Sequence, residues 1–124
     1  MIPPQSPAGP LWLACLCAAW CRTCDGYAPV LREVASAFEA ALPALRVRWI
    51  DIEDEADLVG DLDVETFPTI AVLDERGVRF FGPLTPQPET LRRVLGATLA
   101  EAAAAAAVPS EVEAFAARLR SDRR

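Results

Sequence analysis

Four cysteines, Cys15, Cys17, Cys21 and Cys24, fall within ten residues of one another. Thiols this close are suited to making and breaking a disulfide, or to holding a metal ion. A disulfide framework for a small secreted domain spreads its cysteines to tie distant segments together, so this cluster marks one local chemical site. Within it, Trp20-Cys21-Arg22-Thr23-Cys24 stands where an apolar segment hands over to a helical pattern. A helix N-terminus carries partial positive charge and free backbone N–H groups, which favour thiolate at Cys21, and Arg22 adds positive charge beside it. Cys24 lies one turn further in, positioned to attack a mixed disulfide formed at Cys21. Such a site has a nucleophile and a resolving thiol, and it needs no histidine.

Covalent chemistry that depends on histidine or lysine is not on offer. The chain has 124 residues, no His and no Lys; all twelve basic residues are Arg. Ser-His-Asp and Cys-His pairs and a Schiff-base lysine are therefore excluded. The competing use of the cluster is a zinc site, Cys15-x-Cys17-x3-Cys21-x2-Cys24. Cys15 and Cys17 lie on one face of a strand, whereas tetrahedral sites draw two ligand pairs from separate knuckles, so the redox pair is preferred and no metal or other cofactor is expected. For Cys15 and Cys17 themselves the leading reading is the plain one, a small buried hydrophobe. A second redox relay is the alternative.

The elements that must position this site follow from the hydrophobic pattern. Residues 1–10 hold four prolines and read as an extended arm. Residues 11–18 are an unbroken apolar run, suited to a central strand covered on both faces, although length alone leaves a buried helix open. A helical pattern covers 21–42, with Val30, Leu31, Val34, Ala35 and Phe38 at helical spacing; Pro29 should kink it or mark its proper start, and Pro43 ends it. Residues 46–52 alternate as a strand, Val47 and Trp49 facing one way and Arg48, Ile50 and Ile52 the other, and the arginines suit a sheet edge. A short acidic helix over 53–63, strands at 69–73 and 78–81 around an Asp74–Gly77 loop, and a helix opened by Thr85 and Pro86 come next. That helix has Leu91, Val94, Leu95, Thr98 and Leu99 on one face and extends into the alanine run 102–107. Ser110-Glu111-Val112-Glu113 matches a capping box and opens a last helix with Val112, Phe115, Ala116 and Leu119 on one face. The order β-α-β-α-β-β-α plus one α is an α/β domain with a mixed sheet. The expected organisation is an arm at 1–10, a domain at 11–107 and an additional helix with a basic tail at 108–124.

Composition bounds the rest. Hydrophobic residues make up 52% of the chain, enough for one buried core, and its length leaves no room for a second domain. Eighteen acidic residues against twelve arginines give a net charge of −6, which argues against nucleic-acid binding. Eight acids stand between 51 and 65 with no base, a pattern that usually forms a solvated face. The apolar run near the N-terminus is about half the length of a membrane span. It lacks a basic flank and runs into the cysteine cluster, so no membrane segment and a cytoplasmic location are expected.

The apolar strand, Ala18-Ala19-Trp20-Cys21-Arg22-Thr23-Cys24, the helix, and Phe67-Pro68-Thr69 ahead of a hairpin together resemble the thioredoxin family over roughly residues 11–100. The resemblance implies a thioredoxin-like mixed sheet flanked by helices, with an extra C-terminal helix. It implies a thiol–disulfide oxidoreductase cycling Cys21 and Cys24, acting on protein disulfides with a separate electron donor, and more readily a monomer than a dimer. It makes Pro68 a cis proline facing the active cysteines. Phe67, Gly82, Trp20, Arg22 and Thr23 would form the substrate groove. A thioredoxin-fold binding or redox-sensing module is the alternative. The chain departs from the family in four places. The usual first strand and helix have at most a ten-residue arm in their place, which leaves 46–52 at an edge. Arg-Thr stands between the cysteines. Cys15 takes the position of the buried acid, with Cys17 at that of an aromatic. No lysine occurs on the next strand, where Trp49 lies.

Overall fold

The computed structural model describes residues 10–100 and 107–122. The order is β1 (Leu11–Cys17), α1 (Arg22–Glu39), β2 (Leu45–Asp51), α2 (Ala56–Val59), β3 (Thr69–Asp74), β4 (Val78–Pro83), α3 (Pro88–Ala100) and α4 (Ser110–Ser121). The four strands form one sheet in the order β2-β1-β3-β4. β1 pairs in parallel with β2 and antiparallel with β3, and β3 pairs antiparallel with β4. The sheet is mixed and helix-flanked, and the apolar run is its interior strand, buried at every residue.

Period-two alternation along β1 divides the core. Leu11, Leu13, Cys15 and Cys17 join a cluster with Cys24, Tyr27, Leu31 and Val34 of α1 and Leu91 and Leu95 of α3. Trp12, Ala14 and Leu16 join the opposite cluster with Leu58 and Val59 of α2 and Val112, Phe115, Ala116 and Leu119 of α4. The extra C-terminal helix thus closes one face of the sheet, and the burial of each such large side chain stabilises the fold by roughly 1.5–3 kcal/mol.

β2 is a sheet edge, and its arginines have specific partners. Arg48 reaches Glu55 at 2.9 Å and Asp122 at 3.2 Å, joining the edge to the turn before α2 and to the end of α4. The Arg46 guanidinium lies 5.5 Å from the centre of the Trp12 ring, a cation–π contact between neighbouring strands.

Element ends depart from the sequence reading for local reasons. α1 stops at Glu39, not Leu42, because the Ala41 and Leu42 N–H groups both turn back to the Phe38 carbonyl ahead of Pro43. Pro29 lies inside α1, which starts at Arg22, so it does not mark the start. The acidic stretch 53–63 forms a four-residue helix only. Asp51 Oδ1 accepts from the Glu53 and Asp54 N–H groups and makes a turn there, and Gly60, at φ 62°, ends α2. α3 starts at Pro88 rather than Pro86, with proline in the first helical position where its missing N–H costs nothing. The expected extension of α3 over 102–107, like the arm at 1–10 and the end of the basic tail, falls almost wholly outside the described residues. The capping box at Ser110 does not form: Pro109 is the N-cap, its carbonyl accepts from Val112 and Glu113, and Ser110 Oγ donates to the neighbouring Glu111 side chain.

Candidate functional site at the strand–helix junction

β1 ends at Cys17, and after Ala18, Ala19 and Trp20 the chain enters α1 with Cys21 as N-cap, in extended backbone and with no side-chain cap. The first-turn N–H groups of α1 therefore point past Cys21 without a capping side chain. Cys21 is partly exposed and packs on the first core cluster, while Arg22 and Thr23 stand in solvent. Cys24, one turn in, is buried.

A second segment reaches the same place. The Phe67–Pro68 peptide bond is cis. The Phe67 ring meets Trp20 edge to face, with centroids 5.6 Å apart and planes at 87°. Trp20 is nevertheless 67% exposed, the most open large hydrophobic side chain among the described residues. Pro68 is buried and its carbonyl accepts from Leu84 N–H at 3.1 Å. Thr69 Oγ1 donates to the Thr66 carbonyl at 2.6 Å and steadies the bend. Trp20, Cys21 and Phe67 thus form one partly exposed apolar surface, with Arg22 and Thr23 beside it in sequence. Gly82 lies in β4 opposite Ile70. A side chain there would make only ordinary contact, 3.7 Å from Phe80 Cζ, so no close approach demands glycine.

The sulfur pairing in this structure was not expected from the sequence. Cys24 is disulfide-bonded to Cys17, not to Cys21, with Cα atoms 5.9 Å apart, and Cys21 is a free thiol. Cys17 is therefore not the inert small hydrophobe expected of it. The residue was visible in the sequence as a thiol at the end of the strand that feeds the helix. Cys17 and Cys24 stand seven residues apart in the chain, and the fold brings them together. Cys15 matches the plain reading more closely: it is free and fully buried, and burial pushes its thiol up to about 12. Its Sγ lies 3.7 Å from Cys17 Sγ. Sequence reasoning also passed over Tyr27, which is wholly buried on α1 with no hydrogen-bond partner for its hydroxyl among the described residues. Burial, and secondarily the nearby Cys15, push the Tyr27 hydroxyl upward. Among the described residues no three Cys, Asp or Glu side chains are grouped as a metal ion would require. No helix among them is long and apolar enough to cross a membrane.

A mixed, helix-flanked sheet, an interior strand that leads through a disulfide-capable cysteine cluster into a helix N-terminus, and a cis proline next to the Phe67 that meets Trp20 together make a thioredoxin-like fold. A family model described as Thioredoxin matches residues 8–82, more than half of the chain, and the protein belongs to the thioredoxin family. Among curated proteins it is similar to Protein disulfide isomerase-like 1-3 of Oryza sativa subsp. japonica, 29% identical over 100 residues, covering 75% of this chain. The chain spans only 18% of that relative's length. Among solved structures it resembles a thioredoxin of Trypanosoma brucei brucei at 20% identity and TM-score 0.61, covering 74% of this chain and 77% of that one. The germline-specific thioredoxin Deadhead of Drosophila melanogaster superposes with TM-score 0.60 at 17% identity, over 71% of this chain and 80% of that one.

Proposed function

We propose that this protein is a thiol–disulfide oxidoreductase that reduces protein disulfides through Cys21 and Cys24. The observation that carries the reading is the placement of Cys21: a free, partly exposed thiol at the N-cap of an 18-residue helix, one turn from buried Cys24. Its chemistry follows in two steps. The Cys21 thiolate attacks a substrate disulfide and forms a mixed disulfide, releasing one substrate thiolate. Cys24 then attacks Cys21 Sγ and releases the second, so that two electrons pass from the Cys21–Cys24 dithiol to the substrate. The apolar surface of Trp20 and Phe67 receives the substrate chain beside the sulfur. In a compartment near the cytosolic glutathione poise, with a separate electron donor, a low-potential pair runs in the reducing direction.

A redox-sensing module is the second reading. The observation that favours it is the Cys17–Cys24 bond, which occupies the resolving thiol. Turnover separates the two. The reduced protein is expected to accelerate insulin reduction by dithiothreitol, and Cys21→Ser to abolish the acceleration. Cys24→Ser is expected to accumulate a mixed disulfide through Cys21. Undiminished turnover in Cys21→Ser would rule out the nucleophile, and a single stoichiometric reaction with no turnover in the parent protein would establish the sensor.

A further inference from the structure

Cys17 and Cys24 lie at opposite ends of the strand-to-helix connection, both 1% exposed and both in the first core cluster. Their 5.9 Å Cα separation falls in the commonest range for a disulfide, about 5.5–6 Å. Cys21 is partly exposed, whereas Cys17 is as deeply buried as Cys24. Cys24 therefore has two thiols to choose between, one in reach of a substrate and one not. We propose that Cys17 is a third redox-active cysteine, which takes Cys24 from Cys21 by internal exchange and stores the oxidised state as a buried Cys17–Cys24 disulfide. This rests on the oxidoreductase reading for the origin of the Cys21–Cys24 bond.

The exchange is balanced without an outside reagent. The Cys17 thiolate attacks Cys24 Sγ; the Cys21–Cys24 bond breaks as the Cys17–Cys24 bond forms, and Cys21 leaves as thiolate. The proton lost by Cys17 is matched by one that Cys21 takes from water, and the number of disulfides stays at one. Cys15 serves this step as a positioning residue. Cys17 has no proton while it is in the disulfide, so in the 3.7 Å contact the Cys15 S–H is the donor. The same S–H faces the charge on Cys17 sulfur when that sulfur attacks or leaves. Burial holds Cys15 itself as a thiol, pushed up to about 12. The product exposes a free Cys21 thiol that attacks disulfides but that Cys24 cannot resolve. A mixed disulfide at Cys21 then persists until the substrate's own thiol or an outside thiol displaces it. The bond leaves its buried position by the reverse route, attack of Cys21 on Cys24.

The test counts thiols and needs no turnover, so its failure is distinct from a failure of insulin reduction. Cys21→Ser, a substitution at a partly exposed position, is oxidised with one equivalent of diamide and its thiols are titrated after denaturation. The expected count falls from three to one, with Cys15 the thiol that remains. Adding Cys17→Ala should hold the count at two. The parent protein, oxidised in the same way and acid-quenched, is alkylated and cut with trypsin, which separates Cys24 from the other cysteines at Arg22. The peptide ending at Arg22 and linked to the Cys24 peptide should carry its labels mainly on Cys15 and Cys21. Three thiols persisting in Cys21→Ser, or labels on Cys15 and Cys17 throughout in the parent, would overturn the proposal.

Discussion

On one side of β1, Leu11, Leu13, Cys15 and Cys17 share a cluster with α1 and α3; on the other, Trp12, Ala14 and Leu16 share one with α2 and α4. The second side is tied by arginines as well as packed. Arg118 of α4 donates from Nε to the Leu58 carbonyl at 2.8 Å and from Nη2 to that of Val59 at 2.9 Å, so it receives the C-terminal carbonyls of α2. Arg120 donates to the Asp74 carbonyl, and Arg48 bridges Glu55 and Asp122. The first side is held by apolar packing and sulfur, with the Tyr27 hydroxyl buried against it without a hydrogen-bond partner among the described residues. Sulfur atoms can change partners there without breaking an ion pair, because the Arg48 and Arg118 clamps lie across the sheet and the Arg79–Asp74 pair stands at the far end of β1, where Asp74 pairs with Leu11. The comparison separates a side that anchors from a side that reacts.

The largest expected effect breaks the anchoring side. Phe115 is fully buried at the centre of the α4 face. Phe115→Ala should destabilise the fold by about 3–5 kcal/mol, the usual range for removing a core aromatic ring. A drop in the urea midpoint at unchanged slope is the readout. A loss under about 1 kcal/mol would mean that α4 is not part of the core.

Arg118→Ala sharpens the same comparison with a smaller loss. Its guanidinium fills the space above Gly60, where a Cβ would collide with it, and it satisfies two carbonyls at the end of α2. Charged hydrogen bonds of this kind each contribute roughly 1.5–3 kcal/mol, and water recovers part of that at a half-exposed site. Stability should fall by about 1–2 kcal/mol, while insulin reduction by the folded variant stays at the parent rate. A matched loss of turnover would show that the two sides are coupled.

The reactive side was legible in the sequence down to its elements, though not to its bonds. An unbroken apolar run marked β1 because a strand buried on both faces leaves no polar alternation, and the arginines of β2 marked an edge. The hairpin was legible because Asp74 does what its place suggests: Oδ1 accepts from the Arg76 and Gly77 N–H groups at 2.8 and 3.0 Å, and Oδ2 pairs with Arg79. Burial by itself pushes the Asp74 carboxyl up, but Arg79 and these two N–H groups hold it below its ordinary value. What was hidden depends on distances across the fold. Ser110 carried a capping-box pattern, yet the helix begins on Pro109 because that carbonyl is the one in reach. Cys17 carried the strand's apolar parity, and nothing in its spacing shows that β1 and α1 converge to bring it to Cys24.

The smallest expected effect concerns Cys15, at the position where the family resemblance puts a buried acid. The unfolded thiol ionises near its ordinary value of 9.0, and burial raises the folded one to about 12. Between those values the unfolded chain has lost the proton and the folded chain keeps it, so ionisation favours unfolding. The stabilisation of the neutral thiol is therefore whole below about pH 9 and is lost as pH rises towards 12. Cys17, bonded to Cys24, does not titrate in this state, and Tyr27, the other titratable group facing Cys15, is raised too and adds a loss of the same sign. Cys15→Ala removes the Cys15 contribution together with the smaller part of the Tyr27 loss that the Cys15 charge adds, and leaves the part due to burial. The oxidised parent should accordingly exceed oxidised Cys15→Ala in urea midpoint at pH 7 by the small margin of one buried sulfur, and that margin should shrink and then reverse as the pH is taken from 9 to 11. A margin constant from pH 7 to 11 would mean that Cys15 reaches water in the folded state. It would then be accessible enough to exchange disulfides itself, and the reactive side would extend one residue deeper than Cys17.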